Sequence, residues 1–162
     1  MNIILEGPDN CGKSTLALAI HKATGLPIKS KEGRPKTWPA MIEKIRKYET
    51  IDGHIIDRHP IVSQSVYGLL RNDPEIPEDL MDNFFNRRDL IIYCRCLRTL
   101  DDHEASPTDT PEHLAMIQEQ YQDVVDTYDN WAAICANIIY SDYGQLDTVV
   151  AMVKAVLAHE RG

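Results

Sequence analysis

No Cys-x-x-Cys pair occurs in this chain. Its four cysteines, Cys11, Cys94, Cys96 and Cys135, are scattered, which excludes the common zinc-finger and dithiol redox frameworks. Cys94 and Cys96 alternate within a run that reads as a buried strand, where thiols act as small core residues rather than metal ligands. No apolar run is long enough to cross a membrane, and no secretory leader pattern opens the sequence. These absences lead to the expectation of a reducing, cytoplasmic setting without a membrane partner. Positive charge is scarce too: 17 Lys and Arg face 25 Asp and Glu, for a formal net charge of -8. That balance disfavours broad attraction to nucleic acid or anionic lipid, while leaving room for a local basic patch. Repeats, low-complexity tracts and domain linkers are also missing, so residues 1–162 read as one domain, long enough to bury a core.

What is present is a regular alternation of strand and helix signals. Short apolar runs at 2–6, 26–30, 53–57, 89–96 and 138–141 read as strands. Amphipathic or capped stretches at 13–23, 37–48, 60–70, 77–87, 111–128 and 145–159 read as helices, with Pro60 in a first turn and Met41, Ile42 and Ile45 at helical spacing. This order predicts an α/β fold in three layers, a parallel five-stranded sheet flanked by helices on both faces.

Between the first strand and the first helix stands Gly7-Pro8-Asp9-Asn10-Cys11-Gly12-Lys13-Ser14, which satisfies the G-x-x-x-x-G-K-[ST] pattern of a phosphate-binding loop in the context that pattern requires. Gly7 and Gly12 permit a tight backbone that turns amide N–H groups toward phosphate oxygens, and the helix adds its positive end. Lys13 is expected to reach the β- and γ-phosphates of a nucleoside triphosphate. Ser14 is expected to ligate magnesium, and Thr15 to add a hydroxyl contact. The cofactors implied are ATP and Mg2+.

Such a loop supplies only the donor's cradle, and the rest of the chain must identify the acceptor. No Asn-Lys-x-Asp base-recognition motif is present, which sets GTPases aside. The run Glu6-Gly7-Pro8-Asp9-Asn10-Cys11-Gly12-Lys13-Ser14-Thr15 resembles the E-G-x-D-x-x-G-K-S-T loop of thymidylate kinases. Asp57-Arg58-His59, with Ser63 and Tyr67 downstream, is similar to that family's D-R-[YH]-x-x-S-x-x-A-Y segment, although Ser63 and Tyr67 each fall one residue late. The resemblance implies a P-loop fold, transfer of a phosphoryl group to a (deoxy)nucleoside monophosphate, Asp9 on the acceptor's sugar hydroxyl, and a homodimer. Physically, Asp57 at a strand's carboxyl end suits the metal or its water shell. Arg58 offers a planar fork for the acceptor's phosphate. Ser141-Asp142-Tyr143-Gly144 lies where the family's donor-base loop belongs. His59 beside Arg58 reads as a packing or capping residue, because an acceptor that is already an anionic phosphate needs no general base.

Departures from the family leave the acceptor open. The arginine-rich lid expected after the fourth strand is replaced by an acidic stretch, with Arg95 and Arg98 as the nearby cations to neutralise the transferring group. The D-R-E-P-G-G segment after the second strand is absent, and Lys29, Lys31, Arg34, Lys36 and Trp38 stand there. Arg34 and Trp38 can hold a phosphate and stack a base, or form a plain solvated loop with Trp38 as a helix anchor. Three functions therefore stay in view. The first is a reduced, phage-type nucleotide kinase working in the host cytoplasm. The second is a phage DNA-modification kinase acting on 5-hydroxymethyluracil in DNA, and the third a non-catalytic nucleotide-binding protein.

Overall fold

A computed structural model describes residues 1–9, 11–95 and 110–160. Strands β1 (Ile3–Glu6), β2 (Ile28–Lys29), β3 (Ile55–Asp57), β4 (Leu90–Cys94) and β5 (Ile138–Tyr140) alternate with helices α1 (Lys13–Thr24), α2 (Trp38–Glu49), α3 (Pro60–Arg71), α4 (Glu78–Asn86), α5 (Pro111–Cys135) and α6 (Leu146–Glu160). All strand pairings are parallel, in the order β2-β3-β1-β4-β5. Parallel neighbours cannot be joined by a tight turn, so the connections cross the faces of the sheet as helices. Strand side chains alternate between the two faces. Ile4, Ile56, Ile91 and Tyr93 pack under α2, α3, α4 and α5, while Ile3, Leu5, Ile55 and Ile92 pack under α1 and α6. The fold is the expected three-layer α/β arrangement.

Local chemistry explains most helix ends. Thr37 caps α2, its hydroxyl accepting from Ala40 N–H at 3.4 Å, and the following proline suits a first turn. Gly25 closes α1 in the left-handed conformation with φ 74°. Strand β3 begins at Ile55 rather than 53 and β4 ends at Cys94, short of the expected run, and two further boundaries differ from the sequence expectation. Helix α5 runs on to Cys135 instead of stopping near Tyr128, because Trp131 and Ala132 pack on the core and carry it through the polar Asp129-Asn130 pair. Strand β2 shrinks to two residues at the sheet edge, where β3 pairs with it on one side only.

The chain leaves β1 toward β3 on one side and reaches β4 on the other. The carboxyl end of β1 is therefore a topological switch point, where loops diverge and a crevice opens. The phosphate-binding pattern begins at that end.

Candidate functional site

The loop after β1 is shaped by two glycines that no other residue replaces easily. Gly7 has φ 142°, and a Cβ built on it would lie 2.1 Å from the Cys94 carbonyl oxygen at the end of β4. Gly12, with φ 84°, heads α1, and its Cβ position faces the Tyr143 ring at 3.2 Å. No side chain caps α1 and no acidic residue lies in its first turn. Its leading N–H groups and positive end are thus offered to an outside anion.

Lys13 is buried inside this loop. Its ammonium donates to the carbonyls of Gly7 at 3.0 Å and Pro8 at 2.5 Å, and lies 3.2 Å from the Cys11 sulfur. Burial and the Arg58 cation work against its charge, but Cys11, Asp9 and Asp57 outweigh them and raise its pKa. Ser14 and Thr15 are exposed at the head of α1. Asn10 and Arg98 lie outside the described residues.

Asp57 and Arg58 follow β3, beside β1 in the sheet. Arg58 takes a left-handed backbone, φ 68°, unusual for a residue with a side chain. Its N–H donates to Leu5 O at 3.0 Å, and its guanidinium donates to Gly7 O at 3.2 Å and Tyr67 Oη at 3.3 Å. It also forms a buried ion pair with Asp9. Asp9 and Arg58, read separately as contacts to the acceptor's sugar and phosphate, therefore meet each other and tie the phosphate loop to the end of β3. Two atoms in this cluster, Asp57 Oδ1 and Arg58 Nε, are buried without a hydrogen-bond partner among the described residues. Buried polar atoms of this kind are costly unless something satisfies them, and at a strand end a ligand is the natural candidate.

Below the loop, Glu6 is fully buried, accepting from His59 N–H at 2.5 Å and from the Tyr128 hydroxyl at 3.4 Å. Desolvation pushes its pKa up to about 8 against an ordinary 4.5. His59 caps α3, its Nδ1 accepting from Ile61 N–H at 3.3 Å, and its ring packs on Tyr48 and Phe84. Burial depresses its pKa to about 3, so the ring is neutral, a packing and capping group.

These two groups predict a particular stability profile. From pH 3 to 6.5 the unfolded His59 binds a proton that the folded one refuses, so stability rises with pH across that window. From pH 4.5 to 8 the folded Glu6 keeps a proton that the unfolded one has lost, so stability falls as pH rises there. The two slopes oppose each other between 4.5 and 6.5; from 6.5 to 8 the Glu6 fall continues, set against a rise from the Cys11 thiol, whose pKa is lowered in the folded protein. Glu6→Gln, which mimics the protonated acid, is expected to remove that alkaline fall. Urea midpoints measured from pH 5 to 8.5 test this, and an unchanged slope in the variant would refute the buried-acid reading.

Beside Arg58 a cleft of about 140 Å3 opens between α2, α3 and the 31–34 loop, lined by Lys31, Arg34, Lys44, Gln64, Tyr67 and Arg71 among others. Arg34 pairs with Asp73 at 2.7 Å, and Gln64 donates to the same Asp73 oxygen at 2.9 Å. Arg71 and Arg58 both stand over the Tyr67 ring, 5.5 and 5.6 Å from its centroid. Burial lowers the pKa of both Lys44 and Arg71, Arg71 being further disfavoured by Arg34. Cations confined in this way lower their energy when an anion joins them. Trp38 packs partly buried against the core and is not among the residues lining the cleft. Of the basic loop, Lys29 is paired with Glu32.

Sequence reasoning passed over Lys44, Gln64 and Arg71. The signal was there for α3: Gln64, Tyr67 and Arg71 recur at i, i+3 and i+7, a polar stripe on a helix rich in apolar residues. Lys44 carried no such mark, because its Nζ reaches the cleft only through the Glu32 and Gly33 carbonyls, at 3.0 and 3.2 Å.

No protein-family model matches the sequence, and no curated protein sequence matches it. Solved structures do share its architecture. YorR protein from Bacillus subtilis, solved in complex with phosphorylated GDP, superposes with a TM-score of 0.67 at 23% identity, over 99% of this chain and 98% of that one. Deoxyadenosine kinase from M. mycoides superposes with a TM-score of 0.55 at 17% identity with dCMP and dCDP bound, over 98% of this chain and 99% of that one. With dATP bound, the same enzyme gives 0.52 at 14% identity, over 98% and 100% of the two chains. The chain thus shares the fold of these proteins.

Proposed function

We propose that the protein transfers the terminal phosphoryl group of ATP, in the presence of magnesium, to a (deoxy)nucleoside monophosphate, as the resemblance to thymidylate kinases implies. The observation that carries this reading is the cationic cleft of Arg34, Lys44, Arg58 and Arg71 opening beside the phosphate loop. A cleft that confines arginines and a lysine next to a donor cradle suits an acceptor bearing its own phosphate.

On this reading Gly7 to Thr15 receive the donor's phosphates on main-chain N–H groups, and Lys13 holds positive charge against the β- and γ-phosphates. Arg34, Arg58 and Arg71 hold the acceptor's phosphate, with Gln64 and Tyr67 on the cleft wall toward its nucleoside. The acceptor oxygen is already anionic, so no side chain has to remove a proton, and the neutral, buried His59 is left to its capping role. Arg98 keeps the part the sequence suggests, a further cation for the transferring group. Ser14 and Asp57 are the residues that would hold magnesium, and the unsatisfied Asp57 Oδ1 fits that assignment. Bound magnesium would neutralise phosphate charge in the donor.

The direct test incubates the protein with magnesium and γ-labelled ATP against a panel of nucleoside monophosphates, free deoxynucleosides, and plain and hydroxymethylated DNA. Label is expected in one or more deoxynucleoside monophosphates, at a rate only weakly dependent on salt. Label confined to hydroxymethylated DNA, falling steeply with potassium chloride through counterion release, would overturn the reading. So would label confined to free nucleosides.

Asp57→Asn gives a sharper result. It retains size and removes charge, so the turnover number is expected to fall on the order of 10²-fold while the dissociation constant for ATP changes little. Steady-state kinetics and calorimetric ATP titration separate the two quantities. Equal losses in both would make Asp57 a structural residue.

A further inference from the structure

Two thiols that phosphoryl transfer does not use meet beneath the phosphate loop. Cys11 belongs to the loop and Cys94 ends β4; both are buried, and both are free thiols. They converge at Gly7, whose Cβ position lies 3.0 Å from the Cys11 sulfur and 2.1 Å from the Cys94 carbonyl oxygen. Both side chains belong to the same buried cluster. The Cys11 sulfur also lies 2.9 Å from Pro8 O and 3.2 Å from the Lys13 ammonium. Cys11 is thus a thiol beside the Lys13 cation, with a second thiol packed in the same buried cluster across Gly7.

We propose that Cys11 and Cys94 form a peroxide-sensitive pair whose disulfide shuts the phosphate loop to nucleotides. In the first step the Cys11 thiolate attacks one oxygen of hydrogen peroxide. The S–O bond forms as the O–O bond breaks, and with one proton taken up the products are Cys11 sulfenic acid and water. In the second, the Cys94 sulfur attacks the Cys11 sulfur, the S–O bond breaks, and the Cys94 proton leaves with the hydroxyl as a second water. The net change is two thiols oxidised to a disulfide and one peroxide reduced to two waters.

The environment favours these roles. Burial alone would push the Cys11 thiol up, but the neighbouring Cys94 thiol and the charge of Lys13 outweigh that and bring it down to about 6. Cys94, next to Cys11 and desolvated, is pushed up and remains the protonated, resolving partner. Cys94 is fully buried, yet it needs only contact with Cys11, and peroxide is small enough to reach the slightly exposed loop thiol. The disulfide would take from Lys13 and Pro8 a sulfur partner that both now have, and tie the loop covalently to β4. The N–H groups that must turn toward phosphate would then be held in the wrong place.

The test treats the whole protein with hydrogen peroxide, then measures ATP binding by calorimetry and maps cross-linked peptides by mass spectrometry. Expected are a Cys11–Cys94 cross-link, loss of ATP binding in step with it, and recovery of both on adding dithiothreitol. Under the same treatment Cys94→Ala should form no disulfide and accumulate a dimedone adduct on Cys11, while binding ATP normally before oxidation. A cross-link to Cys96 or Cys135 instead, no dimedone adduct in Cys94→Ala, or full ATP binding by the cross-linked protein would overturn the proposal. Cross-link mapping and ATP binding stand apart from phosphoryl transfer, so they can succeed or fail whatever acceptor the protein uses.

Discussion

Replacing Lys13 by alanine is expected to lower the rate of phosphoryl transfer on the order of 10²–10³-fold, the loss typical of removing one preorganised group that stabilises transition-state charge. The ammonium is held by the Gly7 and Pro8 carbonyls and is electrostatically supported by Asp9 and Asp57, so its charge is built into the loop before any phosphate arrives. Preorganisation matters because a cation that need not be gathered from solvent costs no reorganisation during the reaction. Removing the side chain also takes the apolar stem out of the loop, so Lys13→Met, which keeps the stem and lacks the ammonium, is the companion variant that separates lost packing from lost charge. Both are expected to unfold cooperatively near the wild-type temperature and to share the rate loss. The measurements are single-turnover transfer from labelled ATP and thermal unfolding by circular dichroism. A folded Lys13→Ala protein with full activity would remove the loop from the reaction.

Gly7→Ala is expected to have the largest effect on the fold, a destabilisation of at least about 3 kcal/mol. Two causes add. With φ at 142° the backbone lies where an alanine is strained, and the new methyl would sit 2.1 Å from the Cys94 carbonyl oxygen. That oxygen is main chain at the end of a central strand, paired on both sides by β1 and β5, and cannot step aside as a flexible side chain would. The loop must move instead, carrying Lys13's partners with it. Urea unfolding of Gly7→Ala beside Gly33→Ala separates site from residue type, because a Cβ at Gly33 meets nothing within 4 Å. A wild-type midpoint in Gly7→Ala would show that the close approach to β4 is absent in solution.

The architecture was legible because each step rested on local chemistry. Alternating apolar runs at strand length, Pro60 in a first turn, and a glycine-rich loop between strand and helix each have one economical interpretation. Together they lead to the parallel sheet and the loop at the end of β1. The carboxyl end of α5 was not legible, since Asp129-Asn130 reads as a stop until Trp131 and Ala132 find the core.

Composition and spacing alone determined that the chain is an α/β protein with the G-x-x-x-x-G-K-[ST] pattern between its first strand and first helix, and that Asp57 and Arg58 sit at a strand end. Both follow from patterns within a few residues of sequence. Only the tertiary structure decided that Arg58 pairs with Asp9, that Lys44 and Arg71 join Arg34 around one cleft, and that Cys11 meets Cys94. Those pairs are separated by between 10 and 83 positions, so nothing in their local sequence links them. The order of strands in the sheet brings them together, and that order is set by the burial of both faces at once.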